Sequence, residues 1–220
     1  AQAAHFAAHL PPLAERLMQH FWPGPLTLIL PRRPGVATAA AGGQASIGLR
    51  CPAHPEALAL LQAAQALGVS GVAAPSANRF GRISPTTAAH VADEFGDSLA
   101  VLDGGPCEVG IESSIVDLSR TDPVLLRPGG ISRADLQAAM GQRFADPEAM
   151  AQEAPRASGT LQAHYAPRAK LRLMDARTLD TALQVLGADV DGIALYTRQA
   201  IRVPGRSMRR YAMPHDARAA

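Results

Sequence analysis

GVAAPSANRFGRISPT, residues 71–86, begins as one kind of structure and continues as another. The small apolar run Val72-Ala73-Ala74 reads as a buried β-strand. Pro75 then breaks it, and Ser76, Asn78, Arg79, Arg82 and Ser84 follow within a few residues. One reading is a plain surface loop whose hydroxyls cap the next helix. The other is a strand end that presents polar groups to an anionic ligand, because ligands of open α/β sheets gather outside the carboxyl ends of the strands.

The flanking sequence sets that strand among alternating helices and strands. Upstream, Pro11-Pro12 precede Leu13, Leu17, Met18 and Phe21 at helical spacing, and WPGP (22–25) stops the helix. LTLIL (26–30) reads as a buried strand, residues 32–43 as a loop and SIGLR (46–50) as a short strand. PEALALLQAAQALG (55–68) has proline at its start and glycine at its end, as a helix should. Downstream, residues 86–96 predict a threonine-capped helix, LAVLD (99–103) a strand, and Asp103-Gly-Gly-Pro a turn. SSIVDL (113–118) and VLLR (124–127) predict strands joined by a turn at 121–123, and Ser132 caps a helix over 133–140.

Near residue 144 the composition changes to Pro, Gly, Ser and acidic residues with weak periodicity. The expected organisation is therefore a domain over 1–143, a linker over 144–168 and a partial α/β domain over 169–220. Within the last, KLRLMD, a helix over 178–187 and GIALYT resemble a single βαβ unit, which buries too little to stand alone.

The chain of 220 residues is 47% hydrophobic and 18% charged, enough to build a sizeable core. Its formal net charge of +2 argues against bulk nucleic-acid binding. Lys170 is the single lysine, a pattern that an Arg-rich codon bias also produces. Any phosphate bound before that position must be held by Arg, hydroxyls or backbone N–H groups. Cys51 and Cys107 make neither a disulfide framework nor a C-x-x-C zinc pair, which suits a reduced, cytoplasmic setting. No apolar run reaches the roughly 18–20 residues of a membrane helix. The first residues show no signal-peptide pattern, and the absence of an initial Met fits a processed or excised piece. Neither G-x-G-x-x-G, G-x-x-x-x-G-K-[ST] nor H-E-x-x-H occurs.

Several residues stand out chemically. Arg50 ends an apolar strand, where a guanidinium either snorkels to water or grips a carboxylate with two parallel hydrogen bonds. Ser76, Asn78 and Ser84 offer hydroxyls and an amide that suit phosphate or ribose oxygens, or simply close a turn. Ser113 and Ser114 lack a G-x-S-x-G elbow and a recognisable triad order, so hydrogen bonding to a ligand fits better than a covalent role. Arg127 closes VLLRPGG, where Pro128 stops the strand and the glycines allow close backbone approach. It is a phosphate or base-stacking candidate, or an ordinary surface arginine. Tyr165, in AHYAP of the linker, either pins the linker or closes over a site.

FWPGPLTLIL, SIGLRCPAHP, GVAAPSANRFGRISPTT, VLDGGPCEVGIESSIVDL, LLRPGGIS and HYAP occur in this order. Together they resemble the threonylcarbamoyl-AMP synthase family of YrdC type, in its long form with an extra C-terminal domain. The resemblance is strong over about 11–168 and weaker beyond. It implies a YrdC-like twisted mixed α/β sheet around a concave substrate cavity, a linker, and a partial Rossmann-like C-terminal domain. The implied chemistry joins L-threonine, bicarbonate and ATP, with Mg²⁺, into threonylcarbamoyl-adenylate and pyrophosphate. A partner complex then carries the threonylcarbamoyl group to adenosine 37 of tRNA.

Carried over by position, the resemblance assigns Arg50, Ala74 and Ser113 to threonine. It assigns Ser46, Ser76, Ser84, Arg127 and Tyr165 to ATP, with Asn78 and Glu112 as further candidates. No covalent or acid–base residue is implied, and no carboxylate cage for a metal. The family's upstream P-T-E-T-x-Y-G-L strand and basic K-x-R motif have no counterpart here, so the 220 residues alone are expected to be weakly active or inactive. The competing expectation is an RNA-binding module of the same fold, with arginines such as Arg79 and Arg82 on phosphates. Against it stand the near-neutral charge and the missing aromatic platform. A hydrogenase-maturation carbamoyltransferase domain would need zinc-finger cysteines that are absent.

Overall fold

The computed structural model describes residues 2–145, 169–187, 190, 192–200 and 208–216. The linker expected over 144–168 lies almost wholly outside the described residues. The chain divides into two compact units, 1–166 and 167–220.

The first unit is a four-stranded mixed sheet backed by helices. Strands β1 (Leu26–Pro31), β2 (Ser46–Leu49), β3 (Ser114–Asp117) and β4 (Val124–Arg127) are ordered β2-β1-β3-β4. The β1–β3 pair is parallel, while β1–β2 and β3–β4 are antiparallel. Helix α1 (Ala3–Phe6) is a single turn, and Ala7 forms an isolated bridge to Arg32. Helix α2 (Pro12–Phe21) starts on proline and turns Ala14 and Leu17 inward. Helix α5 (Arg133–Met140) is capped by Ser132, whose hydroxyl accepts from Asp135 N, and ends at Gly141 in the left-handed region (φ 72°).

Period-2 alternation in β1 sends Leu26, Leu28 and Leu30 to one face, where all three are fully buried. They pack with Ala14, Leu17, Val116, Leu125, Leu136, Met140 and Phe144. This layer of helix on sheet is the core of the unit.

The middle of the chain behaves differently. Helices α3 (Pro55–Ala66) and α4 (Ala88–Phe95, capped by Thr87) form where the spacing predicts them, yet neither has a buried residue. The strands expected over 71–75 and 99–103 do not form. No residue from 52 to 112 is buried, and Val72, Leu99, Val101 and Leu102 remain exposed. The reason lies in the pairing. Strand propensity is realised only when peptide groups meet a neighbouring strand. Among the described residues, the N–H and C=O groups of 70–75 and 99–103 make no hydrogen bond. The opening stretch is thus extended and uncovered rather than a core strand.

In the second unit, helix α6 (Ala176–Leu186) is capped by Asp175, whose carboxylate accepts from Thr178 N at 2.7 Å. That bond holds the exposed Asp175 carboxyl below its ordinary pKa. Strand β5 (Ala194–Thr197) pairs in parallel with β6 (Arg209–Ala212). The expected strand KLRLMD does not form, and its Leu171 and Leu173 are exposed. The partner of β5 comes instead from the polar segment RRYA, because parallel pairing rests on backbone register and tolerates a hydrophilic edge strand.

Candidate functional site

The sheet face opposite the helices carries the polar residues. Register places Ser46 opposite Pro31, Gly48 opposite Ile29, and Thr27 opposite Ile115. Ile115 is in turn opposite Arg127. Directly paired residues share a face, so Ser46, Gly48, Thr27 and Arg127 look the same way. A bulge makes this possible. Leu125 and Arg127 are two residues apart and would share a face in a regular strand. The register shift between Ile115 and Val116 pairs Leu125 with the core residue Val116 and turns Arg127 to the other side.

Arg127 and Ser113 form the centre of this face. The Arg127 Nε donates to Ser113 O at 3.0 Å, and its Nη2 donates to Ser113 Oγ at 3.1 Å. Ser113 Oγ also lies 2.8 Å from Thr27 Oγ1. Ser113 is buried, so this hydroxyl is held within a small hydrogen-bonded group rather than loose in water. Arg50 joins from the end of β2: its Nε donates to Gly24 O at 3.0 Å. Gly24 N in turn donates to Cys51 O at 2.9 Å, so the WPGP turn and the Arg50 segment brace each other.

Partial burial lowers the pKa of Arg50, the nearby positive charge of Arg127 lowers it further, and Cys51 acts weakly in the opposite direction. Two guanidiniums at the same end of the sheet, after β2 and at the end of β4, thus lie near enough to repel each other. An anion near this pair would relieve their repulsion.

Chain packing fixes Ser113 from behind. A Cβ on Gly129 would overlap Ser114 N, Glu112 O and Ser113 C, so glycine is required for the Arg-Pro-Gly-Gly turn to lie against this segment. Ser114 is fully buried and structural: its Oγ donates to Ile131 O at 3.0 Å, and its N–H donates to Pro25 O at 2.9 Å. The two adjacent serines therefore divide their tasks, one tying strands together and the other facing the arginines.

A second cluster adjoins through Glu112. Ser84 Oγ donates to Glu112 Oε1 at 2.6 Å. Asn78 Nδ2 donates to Arg79 O at 2.9 Å and Arg82 O at 3.2 Å, which closes the 78–82 turn. Ser84 Oγ also approaches Asn78 Oδ1 at 3.4 Å.

The structure joins Arg127 to Ser113 with Arg50 braced on Gly24 at the same end of the sheet, and separately groups Asn78, Ser84 and Glu112. Ser46 shares the sheet face but makes no hydrogen bond to either group. Ala74 and Ser76 are exposed in the extended segment and contribute no hydrogen bond. Tyr165 lies outside the described residues. Arg79, offered above as a phosphate ligand, approaches Glu94 at 3.9 Å and donates to its backbone carbonyl, which weakens the RNA-binding expectation. Thr27 was not anticipated, although a hydroxyl inside the apolar run LTLIL is a visible signal. Among the described residues no group of three or more His, Cys, Asp or Glu is placed to hold a metal, and no helix is long and apolar enough to cross a membrane.

These features define an α/β protein with a cationic, hydroxyl-lined polar sheet face. The family model described as "Telomere recombination", of Sua5, YciO and YrdC, matches residues 1–129. A second, described as "Threonylcarbamoyl-AMP synthase, C-terminal domain", matches 131–203. The chain belongs to the Sua5/YciO/YrdC family. It is 39% identical over 172 residues to a threonylcarbamoyl-AMP synthase of Pyrococcus abyssi, covering 77% of this chain and 49% of that protein. It is 41% identical over 168 residues to the Bacillus subtilis protein of that name, covering 75% and 47%. The crystal structure of P. abyssi Sua5 complexed with L-threonine superposes with a TM-score of 0.82 at 30% identity, covering 99% of this chain and 64% of that one. The chain spans about half the length of the curated relatives it matches.

Proposed function

We propose that the protein acts in threonylcarbamoyl-AMP synthesis, taking L-threonine, bicarbonate and ATP as substrates. The threonine amine and bicarbonate condense to a carbamate with loss of water. A carbamate oxygen then attacks the α-phosphorus of ATP, the bond from that phosphorus to the α,β-bridging oxygen breaks, and the β and γ phosphates leave together as pyrophosphate while threonylcarbamoyl-adenylate forms. Such phosphoryl chemistry depends mainly on positioning and charge neutralisation. The observation that carries the reading is the Arg127 guanidinium held on the buried Ser113 hydroxyl, with Arg50 braced on Gly24 at the same end of the sheet.

In this reading Arg50 and Ser113 receive the threonine carboxylate, with Ala74 against the amino acid. Arg127, Ser46, Ser76, Ser84 and Tyr165 attend the nucleotide. Asn78 shapes the 78–82 turn, and Glu112 orients Ser84. Mg²⁺ accompanies the triphosphate. Glu112 is the single carboxylate of the two clusters and is engaged with Ser84, so the described side chains offer the ion no dedicated cage. The product passes to a threonylcarbamoyl-transfer complex acting on tRNA, and the setting is cytoplasmic.

Calorimetry with L-threonine, with and without a non-hydrolysable ATP analogue, tests the proposal on wild type and Arg50→Ala. Saturable threonine binding that the substitution abolishes supports it. Equal binding by both proteins overturns the site, and no binding by wild type overturns the function.

A further inference from the structure

Ser113 Oγ has two hydrogen-bond neighbours. It accepts from Arg127 Nη2 at 3.1 Å and meets Thr27 Oγ1 at 2.8 Å. Either hydroxyl can donate in the second contact. A serine oxygen has two lone pairs and one hydrogen. If Ser113 donates to Thr27, its hydrogen is spent. If Thr27 donates to Ser113, both lone pairs are filled, and the Ser113 O–H is left to point at something else.

We infer that Thr27 is a positioning residue: it donates to Ser113 when ligand is bound, fixing the Ser113 side chain and making it an obligate hydrogen donor to the anion held by the two arginines. This rests on the threonine-binding role proposed above for Ser113.

Three features support the assignment. Thr27 Oγ1 makes no other hydrogen bond, so nothing competes for its hydrogen. Thr27 sits inside β1, paired with Ile115 of β3, so the strand ladder and not a loop sets its distance from Ser113. Its β-branched side chain has limited χ1 freedom, which narrows the positions its hydroxyl can take. An oxygen that accepts two hydrogen bonds is also polarised into a stronger donor.

The test uses the 220-residue chain and threonine-dependent pyrophosphate release, with calorimetric Kd values for L-threonine and a non-hydrolysable ATP analogue read in place of KM where turnover is too weak to follow. Thr27→Val keeps the shape of the side chain and removes the hydroxyl. It is expected to raise the threonine KM about fivefold, in line with the loss of one net hydrogen bond, while the ATP KM stays within twofold. Thr27→Ser is expected to restore the threonine KM most of the way. Combining Thr27→Val with Ser113→Ala is expected to be no worse than Ser113→Ala alone, since Thr27 acts only through the Ser113 hydroxyl. Thr27→Ala serves as a second hydroxyl-free variant, and thermal melts verify folding of each.

An unchanged threonine KM in both hydroxyl-free variants overturns the inference. So does an additive double variant, or an equal rise in both KM values. If Ser113→Ala weakens threonine but neither Thr27 variant does, Thr27 alone loses its role. If Ser113→Ala has no effect either, the threonine-binding assignment itself fails.

Discussion

Arg50 and Arg127 approach closely enough that, after partial burial of Arg50, the charge of Arg127 is the next cause of its lowered pKa. The sign of the effect matters. A depressed guanidinium pKa means that the folded protein disfavours the charged form. Stability would rise with pH only in the strongly alkaline window between the folded and unfolded values. Through the range of roughly pH 6 to 9 both arginines stay protonated and the repulsion is constant. Binding of an anion whose own charge is constant there should therefore be flat across that range, checked by sulfate titration at several pH values.

Relief of that repulsion should appear as stabilisation. A ligand at tenfold excess over its Kd adds about 1.4 kcal/mol to the folded state. For a chain of this size that is a rise in Tm of roughly 3–6 °C. Pyrophosphate is expected to produce such a rise in wild type and much less in Arg50→Ala, read by scanning fluorimetry at low ionic strength. An equal rise in both proteins would show that the anion binds elsewhere.

Arg50→Ala should weaken L-threonine by on the order of 10- to 100-fold, the range of a charge-assisted hydrogen bond. Arg50→Lys should recover little, because a point charge cannot replace a planar fork. Full recovery by lysine, measured by calorimetry, would mean that only the charge matters.

The parts of this architecture that were legible in the sequence are those whose causes are local. Proline at the start of α2 and α3, Ser132 before α5 and the apolar run of β1 each act within one turn or strand. Arg50 and Arg127 were visible as charges ending apolar strands. Their proximity was not, because it depends on strand order and on the bulge that turns Arg127 out of the core plane. Val72-Ala73-Ala74 shows the converse. Its pattern is that of a strand, yet no neighbour among the described residues hydrogen-bonds to it, and local pattern cannot supply one. β5 falls inside the expected GIALYT segment, whereas β6 was missed for a related reason: RRYA has no hydrophobic alternation to announce it.

Gly129→Ala should disturb both fold and site. The added methyl meets backbone atoms of 112–114, which cannot step aside as a flexible side chain would. Overpacking of this kind costs about 1–3 kcal/mol, seen as a lower denaturation midpoint. Because the displaced segment carries Ser113, threonine affinity should fall as well. Gly130→Ala is the control: its nearest neighbours are side-chain atoms of Val109 and Pro25, at 3.2 and 3.6 Å, so the loss should be smaller.

The contrast between paired and unpaired extended segments gives a direct measurement. In the 220-residue chain, amides of Leu28, Leu30 and Val116 lie in a hydrogen-bonded sheet whose side chains here are fully buried. They should exchange with deuterium slowly, at rates set by opening of the sheet. Amides of 71–74 and 99–103 have no acceptor and sit beside exposed side chains, so they should exchange within seconds to minutes. Equal protection of the two sets would mean that a strand partner covers 71–74 in solution. In that case the buried-strand reading of GVAAPSANRFGRISPT would hold after all.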